Sequence, residues 1–193
     1  ISKLSSKTHL YFLHYQPEAT TNPLAKNFSE QRNAIDYILK ELKSDEVLIV
    51  KEHPHQFFQA GLHDEGDPLH LEKVLNFRTF EYYKYLSNQP KVVIASRKLK
   101  AIELMINKSK VWVNTGTVAL QAALLGSELK FLDALCPYIF LRDLNLDSLT
   151  KEEIINIISE EGAKYLENCV RIDFDFITDK EGTVNQINKI LDL

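Results

Sequence analysis

Cysteine is scarce: the 193-residue chain has only Cys136 and Cys169, far apart in sequence. They form no metal-binding or redox pattern, so a reduced compartment, the cytoplasm, is the simplest expectation. No apolar run approaches the roughly 20 residues that span a bilayer, and no signal peptide is visible. Excess positive charge is also missing. The net charge is −4, so nothing global points to nucleic acid or an anionic membrane surface. Any phosphate binding must be local. His55, His63 and His70 lack metal-ligand spacing, and no metal or other cofactor is expected. No pair of carboxylates has a spacing that marks general acid and base roles. There is no Walker loop, no G-x-G-x-x-G fingerprint, no repeat and no low-complexity segment.

What is present reads as one α/β domain. Hydrophobic residues make up 45% and charged residues 26%, an ordinary globular balance. Apolar runs at 9–15, 46–50, 91–95, 110–114 and 129–132 predict five strands. Between them, periodic patterns predict helices at 27–42, 77–86, 99–107 and 117–125. Ala34, Ile35, Ile38, Leu39 and Leu42 share one face of the first, with Asn27 and Glu30 as its expected capping pair. The helix at 117–125 is nearly all apolar and should be buried on several sides, with Gly126 as its stop. Thr150 and Glu153 form a capping box ahead of Ile154, Ile155, Ile157 and Ile158. A last helix is expected at 184–191. Residues 150–193 would form a helical extension of a single domain spanning 1–193.

Strands alternating with helices imply a doubly wound, mostly parallel, Rossmann-like sheet flanked by helices. Ligands then sit beyond the carboxyl ends of the strands, where strand order reverses. With order 3-2-1-4-5, that place lies between the first and fourth strands. Three polar segments follow strand ends: Gln16–Thr21, Lys51–Pro54 and Asn114–Thr117. They should gather on one edge.

Each segment has chemistry to offer. In Asn114-Thr-Gly-Thr117, Gly116 allows a tight turn and a close ligand approach. Thr115 and Thr117 supply hydroxyls, and the next helix supplies amides for an anion. A plain threonine cap with a glycine turn shows the same pattern. In Lys51-Glu-His-Pro54, Pro54 ends the strand and His53 points into the expected crevice, able to contact a leaving phosphate. In His14-Tyr-Gln-Pro-Glu-Ala-Thr-Thr21, Gln16 and Glu18 can reach sugar hydroxyls. Arg78, near Tyr82 and Tyr83, is a further cation.

Taken in order, His-Tyr-Gln-Pro-Glu-Ala-Thr-Thr, Lys-Glu-His-Pro, Arg with Phe-Tyr-Tyr, and Thr-Gly-Thr before an apolar helix resemble the C-terminal half of GT-B type bacterial capsule and surface-polysaccharide glycosyltransferases. The resemblance covers roughly residues 9 to 140, and the chain is similar to the Kdo-transferase-like members. It implies a lobe that binds a CMP- or UDP-linked sugar and serves a glycan acceptor. It implies that His53 and Pro54 contact the nucleotide or its phosphate, with His53 the catalytic group. Gln16 and Pro17 match the Gln-Pro motif, and Thr115, Gly116 and Thr117 match the phosphate cradle. The family's ribose-binding Glu falls at Gln121, which can bond a hydroxyl without charge. Lys51 and Arg78 would add positive charge. A separate N-terminal lobe would complete the enzyme, and the first residue being Ile1 rather than Met fits a fragment. The complete protein would work in the cytoplasm, associating peripherally with the inner membrane face. A nucleotide-sugar 2-epimerase lobe and a non-catalytic nucleotide-binding module are the competing expectations.

Overall fold

The structure, a computed structural model, describes residues 7–16, 25–54, 56, 76–105, 109–132, 136 and 138–168, the last seven by backbone alone. Its elements alternate as the sequence pattern requires. They are β1 (Thr8–Phe12), α1 (Gln31–Glu41), β2 (Val47–Lys51), α2 (Phe80–Ser87) and β3 (Val92–Ala95). Then follow α3 (Ala101–Met105), β4 (Lys110–Val113), α4 (Val118–Leu124), β5 (Glu128–Phe131) and α5 (Lys151–Asn168). The five strands form one sheet in the order β3-β2-β1-β4-β5. Every neighbouring pair is parallel. This is the doubly wound α/β arrangement, with the reversal of strand order between β1 and β4.

β1 is the central strand, covered on both faces, which explains the apolar run from Leu10 to Leu13. On one face Tyr11, Leu48, Val50 and Trp112 pack against α1 and α2 through Ala34, Ile35, Ile38, Leu42, Tyr82 and Leu86. On the other, Leu10, Ile49, Val111 and Val113 pack against α3, α4 and α5. Ala119, Ala122, Ala123 and Leu124 of α4 are all buried, as an almost wholly apolar helix must be. Gly126 ends α4 with φ of 68°. Ser127 N–H donates to Ala122 O at 2.9 Å and Gly126 N–H to Ala123 O at 3.0 Å, the paired bonds of a Schellman stop.

Several boundaries move. α1 begins at Gln31 with Glu30 as its N-cap, whose carboxylate accepts from Arg32 N–H. Asn27 instead lies in a 3-10 turn, Lys26–Phe28, and its carbonyl accepts from Asn33 Nδ2. The turn intercepts the expected cap because it satisfies local backbone groups first. The Thr150–Glu153 box forms: Thr150 N–H donates to Glu153 Oε2 at 2.7 Å and Glu153 N–H to Thr150 Oγ1 at 3.2 Å. Ile154 and Ile158 of α5 are buried in the α3–α4 core. The helix expected at 184–191 and most of the 55–70 loop lie outside the described residues. No helix among the described residues is long and apolar enough to cross a membrane.

Candidate functional site

The carboxyl ends of β1, β2 and β4 meet on one edge, and the segment after β1 is fixed there by unusual means. Leu13 N–H donates to Lys51 O at 2.8 Å, extending the ladder by one step. Beyond it, side-chain amides replace strand neighbours. Gln31 accepts from His14 N–H at 3.0 Å and donates to His14 O at 3.1 Å. Gln56 does the same for Gln16, at 2.9 Å each way. Both glutamines are fully buried, so these bonds satisfy groups that would otherwise be costly to bury. Neither residue stands out in the sequence, because a glutamine's partner lies 17 or 40 positions away.

Beneath this edge lies a buried ion pair. Arg78 Nε donates to Glu52 Oε2 at 2.8 Å, and Nη2 to Glu52 Oε1 at 3.3 Å. Its other donors go to Gln16 Oε1 at 2.7 Å, Phe77 O at 3.3 Å and His14 O at 2.9 Å. A guanidinium has five N–H donors, and all five are engaged. The cation also lies 5.1 Å from the Tyr82 ring centroid. Burial alone would lower its pKa, but Glu52, Tyr82 and Tyr83 hold it above its ordinary value. Glu52 further accepts from Tyr83 OH at 2.6 Å and from His53 N–H at 2.9 Å. Arg78 therefore fastens β1, β2 and α2 together and keeps no donor for a ligand. Gln16 is similarly occupied, its Nε2 donating to Ser29 O at 3.0 Å. Pro17 and Glu18 lie outside the described residues.

Above this floor opens a cleft of ≈ 640 Å³, of the size ordinary small-molecule sites have. Lys51, His53 and Pro54 line it from β2, Arg97, Lys98 and Lys100 from the β3–α3 turn, and Thr117 and Gln121 from α4. Four of its charged lining residues are basic and one, Glu52, is acidic. Glu52 is the carboxylate already bound to Arg78. Lys51 is buried, yet its ammonium makes a single long bond, 3.4 Å to Glu52 O. It meets no carboxylate among the described residues. Burial lowers its pKa from 10.5, Glu52 opposes this, and Arg97 lowers it further. The chain is acidic overall, but this cleft is a local cationic surface. Arg97, Lys98 and Lys100 carry no site signal in the sequence. A basic turn reads as a solvated loop until the β2–β3 pairing puts it beside Lys51.

A second cleft of ≈ 250 Å³ adjoins the first and shares Phe12, Leu13, His53, Thr117 and Val118 with it. His14, Tyr15, Thr115, Gly116 and Tyr138 complete it. His53 thus stands at the junction, its ring 5.8 Å from that of Tyr15. The 114–117 turn links β4 to α4 as expected, but its parts differ in role. Asn114 is buried and donates to Phe28 O at 3.2 Å. Thr117 is the N-cap residue of the seven-residue α4, without a side-chain cap bond. Gly116 has no left-handed φ. Its missing Cβ instead makes room for His14, since a Cβ there would come within 3.2 Å of Cε1.

The structure thus brings Lys51, His53, Pro54, Thr115, Gly116, Thr117 and Gln121 around one composite crevice and puts Gln16 and Arg78 beneath it. Among the described residues, no three His, Cys, Asp or Glu side chains come together to hold a metal ion. No protein-family model, no curated protein and no solved structure matches this chain.

Proposed function

We propose that this chain is the donor-binding lobe of a glycosyltransferase acting in surface-polysaccharide synthesis, and that its main cleft takes the nucleotide phosphate of a CMP- or UDP-linked sugar. One observation carries the reading. Lys51 holds a buried cation at the carboxyl edge of a doubly wound sheet, facing a cleft whose one carboxylate, Glu52, is already bound to Arg78. Burying a charge without a counterion is expensive, and an anionic ligand would supply the counterion. Arg97, Lys98 and Lys100 around it favour a phosphate over a neutral ligand. The ordered motifs at Gln16-Pro17, Lys51–Pro54 and Thr115–Thr117 support a sugar nucleotide in particular.

In such a transfer the bond between the anomeric carbon and the phosphate oxygen breaks, and negative charge gathers on the departing phosphate. Fixed cations and donors aimed at that oxygen lower the barrier. Lys51 and His53 are the groups best located for this, and the Gln121 amide is within the same cleft for a ribose hydroxyl. The acceptor and the base that activates it would be the business of the other lobe that the resemblance implies.

The test is calorimetric titration with CMP and UDP, alongside cytidine and uridine. The nucleotides should bind and the nucleosides should bind far more weakly. Lys51→Met should weaken nucleotide binding by about tenfold or more, as expected for a charge-assisted bond. The same substitution should leave stability unchanged or raised, because it removes a buried unpaired charge. Failure of both nucleotides to bind the unaltered chain would refute the reading.

A further inference from the structure

The smaller cleft has a chemistry of its own. Two polar side chains in its wall lack a partner. The Thr115 hydroxyl is buried and makes no hydrogen bond. The main chain of His14 is bonded to Gln31 and Arg78, but its imidazole has no hydrogen-bonding partner among the described residues. Each residue is only 8% exposed. A buried hydroxyl left unbonded is rare, so Thr115, with the His14 imidazole beside it in the same cleft wall, marks a place where a ligand supplies the bonds.

Charge decides which ligand group fits. Burial, with His53 and Arg78 nearby, pushes the His14 pKa down to about 4, so the ring is neutral at pH 7. A neutral imidazole offers one N–H donor and one bare nitrogen acceptor. A threonine hydroxyl likewise donates and accepts. Phosphate has no donor to match the acceptors, whereas a sugar hydroxyl both gives and takes. The basic side chains Lys51, Arg97, Lys98 and Lys100 line the other cleft. The two clefts meet at His53 and Thr117, so one ligand can span them.

We infer that the smaller cleft is a subsite for the hydroxyls of a neutral sugar ring, bonded by His14 and Thr115, with the anionic part of the same ligand in the main cleft. The identity of the ring as the transferred sugar rests on the nucleotide-sugar reading above. His14 and Thr115 act here as specificity-determining residues. Gly116 is part of the device, because any side chain there would push the imidazole away from its position.

The experiment compares a neutral-sugar nucleotide with its bare nucleotide by calorimetry, using UDP-N-acetylglucosamine against UDP. Thr115→Val keeps the shape of the side chain and deletes its hydroxyl. It should weaken the sugar nucleotide about fivefold while leaving the bare nucleotide within about twofold, the effect of one neutral hydrogen bond. It should also raise the melting temperature, since it removes an unbonded buried hydroxyl. A purely structural threonine would not give both results. His14→Phe should show the same selective loss, and Thr115→Val carries the test if that variant disturbs packing on Gly116. Equal losses for sugar nucleotide and nucleotide, or no loss for either, would overturn the subsite and leave the nucleotide reading standing. Absence of any nucleotide binding overturns both.

Discussion

Lowering the pH from 7 to 4 should remove about 3 kcal/mol of stability through His14 alone. In the folded chain burial holds this ring's pKa down to about 4, with His53 and Arg78 contributing, against an ordinary value of 6.5. The unfolded chain therefore takes up the proton first. Stability from this source is complete above pH 6.5, falls as the pH drops towards 4, and levels off below. At about 1.4 kcal/mol per pH unit, the interval amounts to about 3 kcal/mol. Exposure is slight, so little of this is screened away. The assay is urea unfolding followed by the fluorescence of Trp112, the only tryptophan, which is buried against α1 and α2. The comparison is His14→Gln, which keeps both main-chain bonds to Gln31 and does not titrate. Other groups, such as Glu46 with its pKa lowered to about 2 by the Lys43 amide, act equally in both chains and cancel. The stability difference between the two proteins should shift by about 3 kcal/mol between pH 7 and pH 4, in favour of the variant as acid is added. Two curves running parallel over that range would mean that His14 titrates like an exposed histidine, and the argument for its burial would fail.

Two further predictions concern the floor and wall of the crevice. Arg78→Met should destabilise the fold by about 3–5 kcal/mol, because it leaves Glu52 charged, buried and unpaired; adding Glu52→Leu should recover part of the loss in the same urea assay. Gly116→Ala should cost about 1–3 kcal/mol as the new methyl meets the His14 ring. In a His14→Ala background that cost should largely vanish, and additive losses in the double-mutant cycle would contradict the contact.

The order of strands was readable because alternation of apolar runs and amphipathic helices leaves few ways to wind a parallel sheet. The convergence of segments 51–54 and 114–117 on one edge follows from that order alone. The roles of individual polar residues were harder to read. Gln16 and Arg78 have the chemistry of ligand-binding groups, and nothing in their neighbours reveals that each is bonded to residues of the fold instead. That depends on Glu52, which lies 26 positions from Arg78. His14 and His53 look alike in the sequence, yet one packs on Gly116 in the wall of the smaller cleft and the other sits where two clefts join. The Asn27 and Glu30 caps show the same limit on a smaller scale, since both residues suit a helix start and only packing of the preceding turn chooses between them.

The five-bonded arginine has a consequence for motion. His14, Gln16, Glu52 and Phe77 all hang on Arg78, so the floor of the crevice cannot loosen in one segment while the others stay in place. Opening it means stripping a buried cation of every partner at once, a costly event. Local breathing is thereby directed away from the floor and towards the rim. A ligand entering this crevice meets a surface already set in shape, whose ordering was completed when the chain folded.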